Sequence, residues 1–465
     1  LGLDYDGEAM YQTSQLSVHR AAAERLRSMK RAYFLDEADP EHSPLLFRIP
    51  YHCDGFPFVR AVGPATIRLE PGSTVKLARN GLSFLTLSAK GKSVENQACL
   101  AGFRDLVVSG ADGEELYRLD DAKADALLNG GTEAIEGAAA LSFLRREAFF
   151  DDIVKGRLAK PLDGMRDFII VRSDGSPVFH LANVCDDVTQ GVNCIIRGDD
   201  HVENTYRHLF LFEALGAEIP SYAHLPMIVN AQGKPYSKRD GDAFVGDFQA
   251  KGVLPEALFN YLTLLGWSPG DNREKMTRQE MIEAFQLERA QRSPARFDSV
   301  KLTDLNGQYV AELPADVFDR TAWDFAAVYD WRASADRETF RRVATLMQSR
   351  TKLMTDLAAW RSFFLRPEGC DPKARKKFLD SESVRAALER LIPRFAERDL
   401  SSEEVASVLR AEEEASGMKR YSLAQPLRVA ATGLTVGAGI EDTVSVIGTK
   451  EGAERIRLAL EWKQE

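Results

Sequence analysis

The chain has 465 residues, of which 44% are hydrophobic and 28% charged, ordinary values for a globular protein with room for roughly two to four domains. No apolar run reaches the roughly 18 residues of a membrane span, and the opening LGLDYDGEAMYQ has neither signal-peptide nor transit-peptide character. A net charge of −10 argues against indiscriminate nucleic-acid binding. It leaves room for a folded RNA docked on local basic clusters such as Arg341, Arg342, Arg350 and Lys352, or Lys373, Arg375, Lys376 and Lys377. Taken singly, each cluster reads as a solvated helix face. Cys53, Cys99, Cys185, Cys194 and Cys370 form no C-x-x-C pair and have no zinc-ligand spacing with histidine, so they are expected to be inert thiols in a reducing compartment.

In chain order, residues 15–32 read as an amphipathic helix with Leu16, Ala23, Leu26 and Met29 on one side. From about Pro40 to Gly137 turn residues alternate with short β-type runs, LLFRIP, PATIRL, STVKLA, LSFLTLSA and DLVVSG, as in a mostly β insertion. His52 and Cys53 lie there without partners at ligand spacing and are taken as structural. Helical and mixed texture is expected to return near residue 138. DFIIVRSDG (167–175) reads as a strand ending in a turn, and CIIRGDD (194–200) as a buried strand breaking into an acidic loop. Asn204 to Leu215 then reads as a helix closed by Gly216, and HLPMIVN (224–230) as a further strand. Strand–helix alternation predicts an α/β fold, a Rossmann-like doubly wound parallel sheet. Pro255 opens another helix, with Leu258, Leu262 and Leu265 as its apolar stripe. Beyond about residue 271 the strands stop, and 338–361, 381–397, 401–411 and 450–463 carry helical periodicity.

The chemistry concentrates in two places. Ser237, Lys238 and Arg239, with Gly233 and Lys234 before them, put cations on a loop after a strand, which suits a polyphosphate and the charge on a departing pyrophosphate. About forty residues upstream, Arg197 stands at a strand end where it can pair bidentately with a carboxylate. Asp199, Asp200 and His201 follow; they can hold ribose hydroxyls or an adenine edge, or an aspartate can simply cap the next helix. His180 and Asn183 lie in the preceding segment, where a histidine can equally be a satisfied core group.

The runs SDGSPVFHLANVCDD, IIRGDDHVENTYRHLFLFEALG and AHLPMIVNAQGKPYSKRDG, in this order and spacing, resemble the catalytic domain of bacterial glutamyl-tRNA synthetases, class I aminoacyl-tRNA synthetases. The likeness continues through LPEALFNYLTLLGWSP, FDSVKLTDLNGQYV and LAQPLRVAATG, so it covers roughly residues 1–35 and 148–465. The resemblance implies that PYSKR (235–239) is the KMSKS-type loop, with Lys238 on the ATP phosphates, aided by Ser237 and Arg239. It implies Asp200, His201, Leu225 and Met227 on the nucleotide side. It further implies Arg197, Asn183, Phe179 and His180 in the glutamate pocket, with Phe179 standing where the family often has Tyr. ATP, Mg²⁺, glutamate and tRNA-Glu (with tRNA-Gln open) are the implied partners, for a cytoplasmic monomer without membrane contact.

The implied divisions are 1–39, a remnant of the first half of the catalytic domain; 40–147, a divergent insertion; 148–270, its second half; 271–330, a stem-contact connector; and 331–465, an α-helical anticodon-binding domain. None of the seven histidines sits in an H-x-G-H context. The resemblance therefore implies a chain lacking the HIGH-motif segment, expected to be N-terminally truncated or to carry a misplaced start, and inactive alone. The insertion lacks the cysteine cluster that some members use for zinc, so no zinc or other protein-held metal is expected. The alternatives are a non-catalytic tRNA-binding paralogue or fragment, or a glutaminyl enzyme, whose anticodon region is normally a β-barrel.

Overall fold

The computed structural model describes residues 1–419 and 421–462. The first amphipathic run folds as α1 (Leu16–Ser28), burying His19, Ala23 and Leu26. It stops where Lys30 takes a positive φ of 57°. Strands β1 (Ala32–Phe34) and β2 (Leu45–Phe47) follow. Then come β3 (Val59–Ala78), β4 (Gly81–Leu87), β5 (Ser93–Ala98), β6 (Phe103–Ser109) and β7 (Glu115–Arg118). The runs PATIRL and STVKLA are two parts of the single strand β3, whose pairing with β8 shifts register between them. A helix missed in the sequence, α2 (Asp121–Leu128), is capped by Asp120 accepting from the Lys123 N–H.

The expected return of helical texture near residue 138 does not occur. Residues Glu133–Asp152 form one 20-residue strand, β8, and Gly156–Pro161 form β9. Buried positions fall at 135, 138 and 141, then at 143, 146, 148, 150 and 152. Irregular pairing with β3 and β6 spaces the first of these three apart, which mimics a helical stripe. Strand β8 also runs through the division drawn at 147, because its last residue pairs in parallel with a strand of the catalytic region: Asp152 lies opposite Tyr222.

Strand β10 (Phe168–Val171) ends in the expected turn but pairs antiparallel with β2, in a separate three-stranded sheet of order β1-β2-β10. Helix α3 (Phe179–Gln190) leads to β11 (Cys194–Gly198), and α4 (Val202–Leu215) to β12 (Ser221–Leu225). Gly216 closes α4 in the left-handed region at φ 68°, as its lack of Cβ allows. The parallel part of the sheet is therefore the order β11-β12-β8. Strand β11 is its edge, with Cys194 exposed and Ile196 53% exposed, so the expected burial of this strand fails. HLPMIVN is not one strand either. Pro226, with no N–H for a ladder, separates β12 from β13 (Ile228–Val229).

Helix α5 (Val245–Ala250) precedes α6 (Pro255–Leu264), with Pro at its first turn. Leu258 is buried there but Leu262 is exposed, and Ala257, Asn260 and Tyr261 complete the buried face. After α7 (Arg278–Ala284), one more strand appears beyond residue 271: β14 (Ala295–Arg296) pairs in parallel with β13. Helices α8 (Ser299–Glu312), α9 (Ala315–Phe325), α10 (Arg337–Met347), α11 (Arg361–Phe364) and α12 (Pro372–Phe378) follow. The chain continues through α13 (Glu382–Glu397), α14 (Ser402–Ala415), α15 (Ala424–Thr432), α16 (Ile440–Ile447) and α17 (Thr449–Glu461). The run expected over 450–463 is α17, and residue 463 lies outside the described residues. These helices enclose two cores, one around Trp331, Phe340 and Trp360, the other around Leu388, Leu391, Phe395 and Leu427.

The β unit is pinned by Arg146, whose side chain is wholly enclosed. Its guanidinium donates to the Tyr51 carbonyl at 2.9 Å, to Asp54 at 2.8 Å and to the Ala101 carbonyl. Replacing Arg146 with Leu strands two carbonyls, and we expect a loss of about 2–4 kcal/mol. Urea unfolding measures it, and an unchanged midpoint would contradict the assignment.

Candidate active site

Strands β11 and β12 lie side by side, with Arg197 opposite His224 and Gly198 opposite Leu225. The chain leaves both strands at the same edge, as the turn Asp199–His201 from one and the segment from Pro226 to Gly241 from the other. The acidic turn and the chain leading to the cationic loop therefore leave the parallel sheet at one end, where α/β folds bind ligands. The loop itself is built on β13, with the Tyr236 N–H donating to the Ile228 carbonyl at 2.9 Å.

Arg197 is half-buried and held from several sides. Its Nε donates to His224 Nε2 at 3.2 Å, and its Nη2 to Thr205 Oγ1 at 2.6 Å and to the His201 carbonyl at 3.2 Å. The guanidinium also sits over the Tyr222 ring at 5.4 Å. Burial pushes its pKa down, while Tyr222, Asp187 and Asp200 pull it up. The bidentate pairing expected of Arg197 meets a constraint here, because the Nε–Nη2 side of the fork is already occupied by protein acceptors. Among the described residues, Nη1 is the nitrogen with no partner.

Around Arg197, Phe179 opens α3 and is 47% exposed. Its ring packs against His180, His201 and His208 at centroid distances of 5.7–5.8 Å. His180 Nδ1 and His208 Nε2 are 3.2 Å apart. Burial, then the positive charges of Arg207 and Arg197, push His180 down to about 4. Burial, then Arg197, His180, Arg207 and His201, push His208 well below the ordinary histidine value, and among the described residues its buried Nδ1 has no partner. Both imidazoles are therefore neutral near pH 7. Asn183 donates to Asp187 at 3.3 Å.

On the other side, Asp199 does not cap α4. It pairs with Lys155 at 2.7 Å, and His201, which precedes α4, makes no side-chain cap bond. Asp200 is exposed, 3.7 Å from His201 Nε2, and His201 Nδ1 meets Asn204 at 2.9 Å. The structure thus sets His201 beside Phe179 as well as beside Asp200. Leu225 ends β12, whereas Met227 lies between strands and its carbonyl accepts from the Ala295 N–H at 2.9 Å.

In the cationic loop, Asp240 accepts from the Ser237 N–H and Oγ at 2.9 and 2.8 Å and from Asn230 at 2.7 Å. Tyr236 packs on Phe297 with ring centroids 4.7 Å apart. Lys238 and Arg239 are exposed, and among the described residues neither side chain makes an ion pair or hydrogen bond. The charges are thus carried on a tethered loop and are free to meet a phosphate.

Sequence reasoning missed Asp152, Lys155, Asp187, Thr205, Tyr222 and His224, all of which shape this site. Asp152 and His224 are 72 residues apart and carry no local motif. Asp187 sits one turn after Asn183 on α3, an i, i+4 relation that was visible in FHLANVCDD.

A family model for class I tRNA synthetases (E and Q), catalytic domain, matches residues 143–304, and one for an anticodon binding domain matches 315–460. The glutamate–tRNA ligase of Thermobifida fusca is 39% identical over 321 residues, covering 67% of this chain and 66% of that protein. Glutamate–tRNA ligase 1 of Granulibacter bethesdensis is 38% identical over 332 residues, covering 70% and 69%. A glutamate tRNA ligase from Elizabethkingia meningosepticum, solved in complex with its amino acid, matches with a TM-score of 0.65 over 98% of this chain and 84% of that one. At 23% identity that likeness speaks to the fold. The chain is, by its fold and matching family models, of the class I tRNA synthetase type with a helical anticodon-binding region. It belongs to the glutamate–tRNA ligase family, and spans about two thirds of the length of the curated relatives it matches.

Burial pushes the Asp187 carboxyl from 3.8 up to about 6, Arg197 opposing and Asp186 assisting. The folded state therefore holds this proton more tightly than the unfolded one. The stability it contributes is complete below about pH 4 and is lost as pH rises through 6. Relative to Asp187→Asn, the wild type should lose about 1–2 kcal/mol between pH 4 and 7, after discounting for solvent. Urea titrations of both proteins across that range measure it, and a pH-independent difference would exclude it.

Proposed function

We propose that this protein is a glutamate–tRNA ligase that works in two steps. The glutamate carboxylate attacks the α-phosphate of ATP, giving glutamyl-adenylate and pyrophosphate, and a terminal ribose hydroxyl of tRNA then takes the acyl group. Positioning and charge supply most of the rate in such chemistry. The observation that supports the reading is that the Arg197–His201 turn and the chain leading to the Ser237–Arg239 loop leave adjacent parallel strands at the same end.

In this reading Lys238, with Ser237 and Arg239, neutralises the phosphates, and Asp200, His201, Leu225 and Met227 lie on the nucleotide side. Arg197 meets a carboxylate of glutamate through Nη1, and Asn183, Phe179 and His180 line the rest of the pocket. No three His, Cys, Asp or Glu side chains converge as a metal-ligand set among the described residues. In this reading magnesium enters as part of the MgATP substrate, and no protein-held zinc is proposed. Residues 271–330 lie along the acceptor stem and 331–465 take the anticodon arm. A groove of about 660 Å³ lined by Arg350, Asp356, Leu434 and Val436 offers a cation and exposed apolar side chains to an unstacked base. The protein acts in the cytoplasm as a monomer, and no helix among the described residues is long and apolar enough to cross a membrane.

The test is glutamate-dependent exchange of pyrophosphate into ATP by the intact protein, followed by charging of tRNA-Glu and tRNA-Gln with labelled glutamate. Replacing Lys238 with Ala should lower exchange by about two orders of magnitude or more. Exchange unchanged in that variant would remove Lys238 from the mechanism. Tight tRNA-Glu binding without any exchange would assign a binding module instead.

A further inference from the structure

Behind Arg197, away from the open edge, lies a pair of side chains with no solvent contact. The Asp152 and His224 side chains are both 0% exposed, and Asp152 Oδ2 is 2.7 Å from His224 Nδ1. Asp152 also accepts from the backbone N–H groups of His224 at 3.0 Å, Val154 at 2.9 Å and Lys155 at 2.7 Å. Burial alone would raise this carboxyl. The bonds from His224, Lys155 and Val154 outweigh it and hold the group below the ordinary aspartate range, so it is ionised and accepts only. His224 Nδ1 must then carry the proton given to Asp152. On the far side of the ring Arg197 Nε–H points at Nε2 from 3.2 Å, and a guanidinium can only donate. The lone pair on Nε2 therefore faces Arg197, with Thr205 Oγ1 also 3.2 Å away.

We infer that Asp152 and His224 are positioning residues for amino-acid recognition: they fix the tautomer that holds Arg197 by its Nε edge and aim Nη1 at the substrate carboxylate. The inference rests on the function proposed above. His224 takes Nε, Thr205 and the His201 carbonyl take Nη2, and Tyr222 supports the plane from below. An arginine tethered at two nitrogens has little rotamer freedom left to lose when it meets its ligand. Strand register produces the arrangement. Asp152 faces Tyr222 across the parallel pairing of β8 and β12, and His224, two residues on, projects from the same face of β12, directly opposite Arg197 in β11.

Two substitutions at His224 separate positioning from packing. In His224→Asn the amide nitrogen overlays Nδ1, keeping a donor for Asp152 and removing the acceptor for Arg197. In His224→Gln the amide oxygen reaches the Nε2 position, keeping that acceptor and loosening Asp152. In pyrophosphate exchange with the intact protein, His224→Asn should raise KM for glutamate about tenfold. KM for ATP and kcat should stay within about threefold, the pattern of a lost binding contact. His224→Gln should recover most of the glutamate KM while lowering the thermal midpoint. Thr205→Val, which removes the acceptor for Nη2, should also raise the glutamate KM, and it serves if His224→Asn does not fold. A folded His224→Asn or Thr205→Val protein with glutamate KM within twofold of wild type would overturn the inference. So would equal rises in the KM values for glutamate and ATP. A wild type without glutamate-dependent exchange overturns the proposed function first, and this inference with it.

Discussion

The carboxylate of Asp152 closes a strand that begins in the β insertion and ends beside the parallel sheet. It accepts from the turn leading to β9, from the backbone of β12 and from the His224 ring. The donors come from that turn and from β12, while the carboxylate itself ends β8. With a buried charge, the cost of desolvation is offset only while all these donors stay in place, so the three segments are ordered together. The turn that Asp152 organises also delivers Lys155 to Asp199 at 2.7 Å and to the Arg292 carbonyl at 2.7 Å. One anion thereby fixes both the strand end that carries Arg197 and the acidic turn that follows it.

Charge in the pocket is arranged by burial as much as by pairing. His180 and His208 sit near Arg197 and Arg207 and are held neutral by desolvation and by those cations. The guanidinium groups therefore supply the local positive charge without competition from imidazolium. Phe179, lying against His180, His201 and His208, keeps one wall apolar. A low-dielectric wall beside a tethered cation strengthens its attraction for a carboxylate.

Local signals were legible where one residue decides a backbone conformation. Gly216 in the left-handed region and Pro255 in a first helical turn both stand where sequence placed them. The sheet edge was legible too, since RGDDH and PYSKR each follow a strand-like run. What escaped depends on pairing. Irregular register spread the buried residues of β8 into a helix-like pattern, and β11 reads as buried although it pairs with β12 alone. The side-chain partners of Arg197 come from α4 and β12, separated from it in sequence by 8 and 27 residues. No spacing rule links them, so an arginine that looked free to grip with a whole fork proves to have most of it engaged.

The loop that carries Lys238 is tied across its base by Asp240, which holds both Ser237 and Asn230. Tyr236 is anchored on Phe297 below it. Such a clasp settles the conformational entropy of the loop during folding, so the two cations beside it are held close together before any ligand arrives. A phosphate chain arriving at this edge meets charges already gathered, and the penalty for assembling them falls outside the binding step.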